Sequence, residues 1–366
     1  MTFARVKTGG WAVNEKLTSA QMNALDIDHS VSVADAYLAS APVLSWRPRT
    51  TLPQIFRRST FNSFESRVYA CADNAADRLY YSINYGNDWV SAGTATTFNF
   101  FDITSNANGD MVIVTSGGRI VDYTRATTTY TDRGAVLAGT PSGATVMWSP
   151  SASLWSCVYR NAALGLQAYT SPDRITWTSR TAGLPATLTG YAGTNNPQAS
   201  VDASGNIVVL LNTGTATDYK GAKSTDGGIT WTAFTIATTV NASVSRPVWS
   251  AYDSAWMVSA YGGTPTATAV FTSPDGLTWT SVYTNATLNF QQLAVVDRLY
   301  AALGNDGRLY YSTSPLATMT WRRADVGPFG GTAWLWAMSG GLMYWEEGAL
   351  QFTASNVRLG ATGVSV

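Results

Sequence analysis

Ser224, Asp226 and two adjacent glycines crowd into the stretch Ser224-Thr225-Asp226-Gly227-Gly228-Ile229-Thr230-Trp231, residue types from which an active site or a cation site can be built. The rest of the chain completes neither. The single histidine, His29, lies near the amino terminus, so no Ser-His-Asp set can be assembled around the stretch. Calcium takes about six to eight oxygen ligands, and no copy of the stretch supplies them. The four glutamates are Glu15, Glu65, Glu346 and Glu347, and the last two are neighbours that point to opposite faces of a strand, a poor acid–base pair. No Gly-x-x-x-x-Gly-Lys loop is present for a phosphate. Catalytic residues, metal ligands and cofactors are therefore not expected.

The same residues fit a hairpin tip. Ser224 and Asp226 can bond the backbone locally, the glycines permit positive φ, and Thr230-Trp231 restarts a β-prone strand whose ring needs burial. Copies recur along the chain. Ser171-Pro172-Asp173 through Trp177 and Ser273-Pro274-Asp275 through Trp279 are one residue shorter, whereas Ser82-Ile83-Asn84 through Trp89 has Asn for Asp. Thr124 to Tyr130 is eroded, and Ser312 to Trp321 has a longer tip without the acid. Because equivalent tryptophans recur in every copy, packing between outer strands is expected of them rather than sugar stacking.

The positions Ser82, Thr124, Ser171, Ser224, Ser273 and Ser312 are spaced by roughly 40 to 50 residues, the period of one four-stranded propeller blade. A further half-copy at Ala349–Ser355 lacks its Trp-bearing strand, and Leu44-Ser45-Trp46-Arg47, about one period before Trp89, resembles Met319-Thr320-Trp321-Arg322 and can supply it. The expectation is an all-β, seven-bladed β-propeller over residues 43–356, closed by that amino-terminal outer strand. Blade 4 is expected from strands at Gln198–Val201, Asn206–Leu211, Gly221–Lys223 and Ile229–Phe234, and its run Ile207-Val208-Val209-Leu210 suits a strand covered on both faces.

This repeat resembles the Asp-box, or bacterial neuraminidase repeat, of sialidases and many other propellers. The resemblance implies structural roles for Ser82, Asn84, Trp89, Ser171, Asp173, Trp177, Ser224, Asp226, Trp231, Ser273, Asp275 and Trp279, on the face opposite the usual ligand site. A sialidase would also need an arginine triad and a Phe/Tyr-Arg-Ile-Pro segment. The nearest stretches, Phe56-Arg57-Arg58-Ser59 and Ser245-Arg246-Pro247, do not fit that pattern.

Residues 1–42 differ from the rest. Thr18 and Gln21 are spaced as a capping box, which predicts a short helix in a partly helical extension too small and polar to hold a core alone. Gly10-Trp11 followed by Glu15-Lys16-Leu17-Thr18-Ser19-Ala20-Gln21-Met22-Asn23-Ala24-Leu25 resembles the amino-terminal segment of many bacteriophage tail and tail-fibre proteins. The resemblance implies virion attachment through Trp11, Leu17, Met22 and Leu25, and a trimer. Residues 357–366 are a carboxy-terminal tail.

Charged residues make up 13 % of the chain and the formal net charge is zero, so no field suggests nucleic acid. Met1 to Trp11 has no apolar run behind Arg5 and Lys7, so neither a signal peptide nor membrane insertion is expected. Cys71 and Cys157 lie in apolar strand-like runs and read as buried free thiols. The functional expectation is a non-enzymatic phage or prophage tail protein, located in the virion tail, bound to other tail proteins and recognising a host surface glycan. The alternatives are a glycan-cleaving enzyme on the same fold and an intracellular assembly scaffold. Glycan contacts are expected on the face of the b–c and d–a loops, with Tyr219, Tyr261 and Trp345 for stacking and Arg119, Arg160 and Arg308 for acidic groups.

Overall fold

The structure is a computed structural model that describes residues 46–49, 56–72, 79–83, 89–92, 98–139, 141–161, 165–185, 197–211, 218–237, 240, 243–262, 267–296, 299–314, 316–323, 333–338, 341–346 and 351–354; at 46–49, 56–57, 296, 333–338, 341–346 and 351–354 it describes the backbone alone. The amino-terminal segment with Trp11, Leu17, Met22 and Leu25, and the tail 357–366, lie outside the described residues, as does Asn84.

The described chain is an all-β propeller. Six blades arise from consecutive strands within residues 56–91, 100–135, 141–179, 198–237, 243–285 and 290–323, each an antiparallel meander of strands a, b, c and d. In the fifth, strand a is split into Ser243–Val244 and Val248–Ser250. The expectation of seven blades with a partly helical extension is corrected here to six blades, and the described residues contain no α-helix, only a 3-10 turn at Leu316–Thr318. The half-copy at the carboxy end did not found a blade of the same construction, because it has neither the capping acid nor an outer strand of its own. Its strands Ala333–Met338, Gly341–Glu346 and Gln351–Ala354 pair instead with Trp46–Arg49 in a composite terminal sheet, with Trp46 opposite Ala354. Within that sheet Ala333–Met338 lies beside strand a of blade 6 and strand a of blade 1.

Blade cohesion follows from period-two alternation. In strand b of blade 4, Ile207 and Val209 join the core shared with blade 3, while Val208 and Leu210 join the core shared with blade 5; all four are fully buried. Equivalent cores sit between blades 1 and 2, 2 and 3, and 5 and 6. Cys71 and Cys157 are buried free thiols in two of them, and burial pushes both thiols up from their ordinary pKa.

Strands d begin later than the motif predicts. In blade 4 the outer strand is Thr232–Ala237 rather than Ile229–Phe234, because the amides of Ile229 and Thr230 are taken by the Asp226 carboxylate and are lost to the ladder. Strand c is longer, Asp218–Ser224, so it absorbs Tyr219 and Lys220 from the expected loop.

Candidate functional site

The a strands of neighbouring blades pack side by side around the propeller axis. Their first residues do not follow a regular ladder. A bulge falls between Phe56 and Arg58 in blade 1, Phe100 and Asp102 in blade 2, Pro141 and Gly143 in blade 3, and Phe290 and Gln292 in blade 6; the break in blade 5 holds Ser245-Arg246-Pro247. A bulge re-aims the residue that follows it. Polar groups thereby meet across the ring near the ends of the a strands that lead in from the d–a loops.

Arg246 is the centre of this cluster. Its Nε donates to the Ala199 carbonyl of blade 4 at 2.6 Å, and its Nη2 lies 3.2 Å from Asp102 Oδ2 in blade 2 and 3.5 Å from Thr145 Oγ1 in blade 3. Asp102 is fully buried and also accepts from Thr145 Oγ1 at 2.7 Å, Val146 N at 3.2 Å and Ile103 N at 3.0 Å. A carboxylate so enclosed serves as an anchor for the arginine, since Oδ2 takes the guanidinium together with two further donors and Oδ1 is held by the Ile103 amide. Arg58 Nη2 reaches from blade 1 to Gln198 Oε1 in blade 4 at 3.4 Å. Two guanidiniums therefore converge on consecutive residues of one inner strand, Gln198 and Ala199. The arginine side chain of Arg246 stays 35 % exposed, so it borders solvent inside the channel.

The Ser–Asp hairpin tips lie on the opposite face. In blade 4 Ser224 Oγ donates to Asp226 Oδ1 at 2.7 Å, the same oxygen accepts from Ile229 N and Thr230 N, and Thr230 Oγ1 donates to Oδ2 at 2.6 Å. Asp173 and Asp275 repeat the pattern with Ile175 N and Thr176 N, and with Leu277 N and Thr278 N. The amide of Thr176 foremost, and that of Thr278, hold these two exposed carboxyls down at about 2. These aspartates cap turns, and no group of three His, Cys, Asp or Glu side chains among the described residues could hold a metal.

Each of these tips also clips its blade to the preceding one. Ser156 of blade 3 donates to the Gly227 carbonyl of blade 4, and Lys223 Nζ of blade 4 donates to the Asp275 carbonyl of blade 5 at 2.7 Å. Arg174 of blade 3 forms an ion pair with Asp110 of blade 2 at 2.7 Å. Gly276 and Arg174 occupy the same place in the turn and have the same φ of +68°, so blade 3 holds an arginine where a glycine is the unstrained choice. Trp231, Trp279 and Trp321 pack into the core shared with the blade before. Trp177 does likewise and donates to Arg174 O at 3.0 Å. Trp89 is half-buried, and Ser82, Ser171, Ser224 and Ser273 are buried.

Of the six expected ligand contacts, Tyr261 interacts with Ser243 at the start of the split strand and lies within the electrostatic reach of Arg58. Tyr219 is fully buried and donates to Val240 O at 2.9 Å and Ser243 O at 3.1 Å, so it is a packing residue, which corrects its placement in an exposed loop. Arg119 is clamped on Asp132 through Nε and Nη2 and stacks over Phe98. Arg308 lies 3.8 Å from Asp306, and Arg160 sits in strand b of blade 3. Trp345 is paired in backbone register with Gln351 and Trp334, and its side chain lies outside the described residues. The local sequences of Arg58 and Arg246 carry no signal of their own, since neither fits the Phe/Tyr-Arg-Ile-Pro pattern. The usable signal was a polar residue at the start of each inner strand, where apolar alternation is interrupted.

Comparison with known proteins supports the fold. A family model described as the DUF6242 beta propeller domain matches residues 171–328. No curated protein matches. Among solved structures, the chain is similar to YCF48 from Cyanidioschyzon merolae, at 14% identity over 85% of this chain and 98% of that one, with a TM-score of 0.61. A structure of YCF48 bound to D1 peptide gives 15% identity, 87% and 100% coverage and a TM-score of 0.60. A chain of a mitotic checkpoint complex gives 12% identity, 96% and 99% coverage and a TM-score of 0.62. At such identities the likeness is one of β-propeller fold.

Proposed function

We propose that this protein is a non-enzymatic bacteriophage or prophage tail component that presents the face of its b–c and d–a loops to a host surface glycan, with residues 1–42 joining it to other tail proteins. The observation that carries the reading is the polarity of the terminal sheet. Trp46 pairs with Ala354, so the chain enters the propeller, and leaves it, on the face of the hairpin tips. An attachment segment preceding Trp46 then starts from that face, and the loop face with Arg58 and Arg246 points away from it.

The exposed side chains agree with this polarity. Among the described residues five large apolar side chains are more than half exposed: Phe64, Ile83, Ile175 and Tyr252 sit on a–b or c–d turns of the tip face, as suits a side turned toward other proteins, and Val90 lies in the outer strand of blade 1. The tips themselves we infer to be Asp-box turns, given the shared Ser-to-Asp-to-amide pattern of blades 3, 4 and 5. A non-enzymatic role is supported by Asp102, the carboxylate at the centre of the axial cluster, which is fully buried and held by four donors rather than open to a substrate.

The test is composition of purified particles. The protein should be found in isolated tails, disappear from them when residues 1–42 are deleted, and leave polysaccharide uncleaved in prolonged incubation. Soluble protein absent from particles would overturn the tail assignment, and depolymerised glycan would overturn the non-enzymatic one.

A further inference from the structure

We propose that residues 26–38 of this chain dock on the tip face of blades 1 and 2, with an aspartate of that stretch on the Arg125 guanidinium and its apolar side chains over Phe64 and Ile83. The inference stands apart from the tail reading, since it concerns a contact within one chain. It leaves residues 11–25 for other proteins.

The surface carries a cation without an acid. The Arg125 guanidinium lies 3.7 Å from the ring centre of Phe64, a side chain that is itself 53% exposed. Among the described residues no carboxylate or carbonyl accepts a hydrogen bond from that guanidinium. The acids beside it are engaged elsewhere. Asp110 pairs with Arg174 at 2.7 Å and takes the Arg125 amide at 3.0 Å, and Glu65 accepts from the Tyr69 and Tyr123 hydroxyls at 2.5 and 2.9 Å. A guanidinium stacked on a ring keeps its in-plane N–H donors, which match a carboxylate.

The apolar part of the surface is gathered on one blade. Of the five exposed large apolar side chains, Phe64, Ile83 and Val90 belong to blade 1, on its a–b turn, its c–d turn and its outer strand. Blade 1 is also the neighbour of the terminal sheet, whose strand Ala333–Met338 lies beside Phe56–Asn62. Trp46 enters the outer strand of that sheet from the tip face. Ile175 and Tyr252, on blades 3 and 5, stay open to partners.

The occupant follows from sequence and reach. Residues 26–38 interleave Asp26, Asp28 and Asp35 with Ile27, Val33 and Leu38, and no lysine or arginine stands between Lys16 and Arg47. Asp35 precedes Trp46 by eleven positions, an extended span of about 36–40 Å. A four-stranded blade is about 15 Å wide and stacked sheets lie about 10 Å apart, so the stretch reaches from the terminal sheet across blade 1 to Arg125. Tethering beside the unpaired cation gives it a high effective concentration there.

Cross-linking on the full chain tests the proposal. Cys71 and Cys157 are buried, so introduced thiols carry the reaction. With Ala36→Cys and Ile83→Cys together, a short bismaleimide should close a link within one chain, and Arg125→Gln should lower the yield about threefold, the size of an exposed ion pair. Asp26→Asn, Asp28→Asn and Asp35→Asn together should lower it as far by changes outside the propeller, and combining them with Arg125→Gln should lower it no further. Ala36→Cys with Ile175→Cys should link only at background yield. A yield indifferent to both charge changes, equal linking at positions 83 and 175, or no link within the chain would overturn the proposal. Links between chains would give the surface to a second copy and overturn it as well. The tail reading fails separately, by absence of the protein from purified particles.

Discussion

Replacing Trp231 measures how much a hairpin tip contributes to holding two blades together. Its ring is buried in the core between blades 3 and 4 with Leu184, Leu166 and Val209, and Gly183 approaches its carbonyl so closely that a side-chain carbon there would overlap it. Trp231→Ala removes the ring from this buried core and leaves a cavity among those side chains, so the expected cost is about 3–5 kcal/mol. The indole Nε1 of Trp231 has no partner among the described residues, whereas that of Trp177 bonds Arg174 O. Trp231→Phe trades lost volume against relief of an unsatisfied buried donor and should cost no more than about 1.5 kcal/mol. Trp177→Phe loses a made bond as well as volume and should cost more than Trp231→Phe. Urea unfolding followed by tryptophan fluorescence and by circular dichroism gives these differences, provided both probes report one transition. A Trp231→Ala protein that unfolds at the wild-type midpoint would refute the assignment of the tip as an inter-blade clip.

Other outcomes follow from the same geometry. Asp173 and Asp275 have folded pKa values of about 2, below the ordinary value of about 3.9, so the stability they contribute is complete above pH 4 and lost as pH falls toward 2. The double variant Asp173→Asn, Asp275→Asn should flatten that acid limb in a melting-temperature profile, and an unchanged limb would contradict the capping role. Arg174→Gly relieves a left-handed arginine but loses the Asp110 pair, so it should destabilise the wild type by about 1–2 kcal/mol. In an Asp110→Asn background the same change should be neutral or stabilising, as a double-mutant cycle in urea would reveal. Tyr219→Phe should cost about 1–3 kcal/mol in the same assay, because two buried carbonyl contacts lose their donor.

Local chemistry was legible in the sequence and long-range geometry was not. The tip is written in contiguous residues, since Ser224, Asp226 and the amides after them interact within a few positions, and its repetition announced a propeller. Blade count was harder to read, because the last half-copy has no capping acid and its outer strand comes from Trp46–Arg49, far away in the chain. Tyr219 looked like a loop residue because its neighbours are polar, yet strand c begins at Asp218 and turns the ring inward. The axial cluster was the least visible feature. Arg246 meets Asp102 and Arg58 meets Gln198 only because bulges and a split strand on separate blades aim them across one channel.

The central claim, that the tip face is turned toward the particle and the loop face toward the host, is tested most directly by site-specific labelling of assembled tails. Cys71 and Cys157 are buried, so a single introduced thiol would be the reactive one among the described residues. Ala138, exposed on the d–a loop of blade 2, and Ile175, 56% exposed on a hairpin tip, mark the two faces. With Ala138→Cys, a polyethylene-glycol maleimide should react on intact particles and block host adsorption. With Ile175→Cys the thiol should be shielded on the particle and reactive in the isolated protein. A reactive Ile175→Cys on intact tails, together with full adsorption after labelling at Ala138→Cys, would contradict the account.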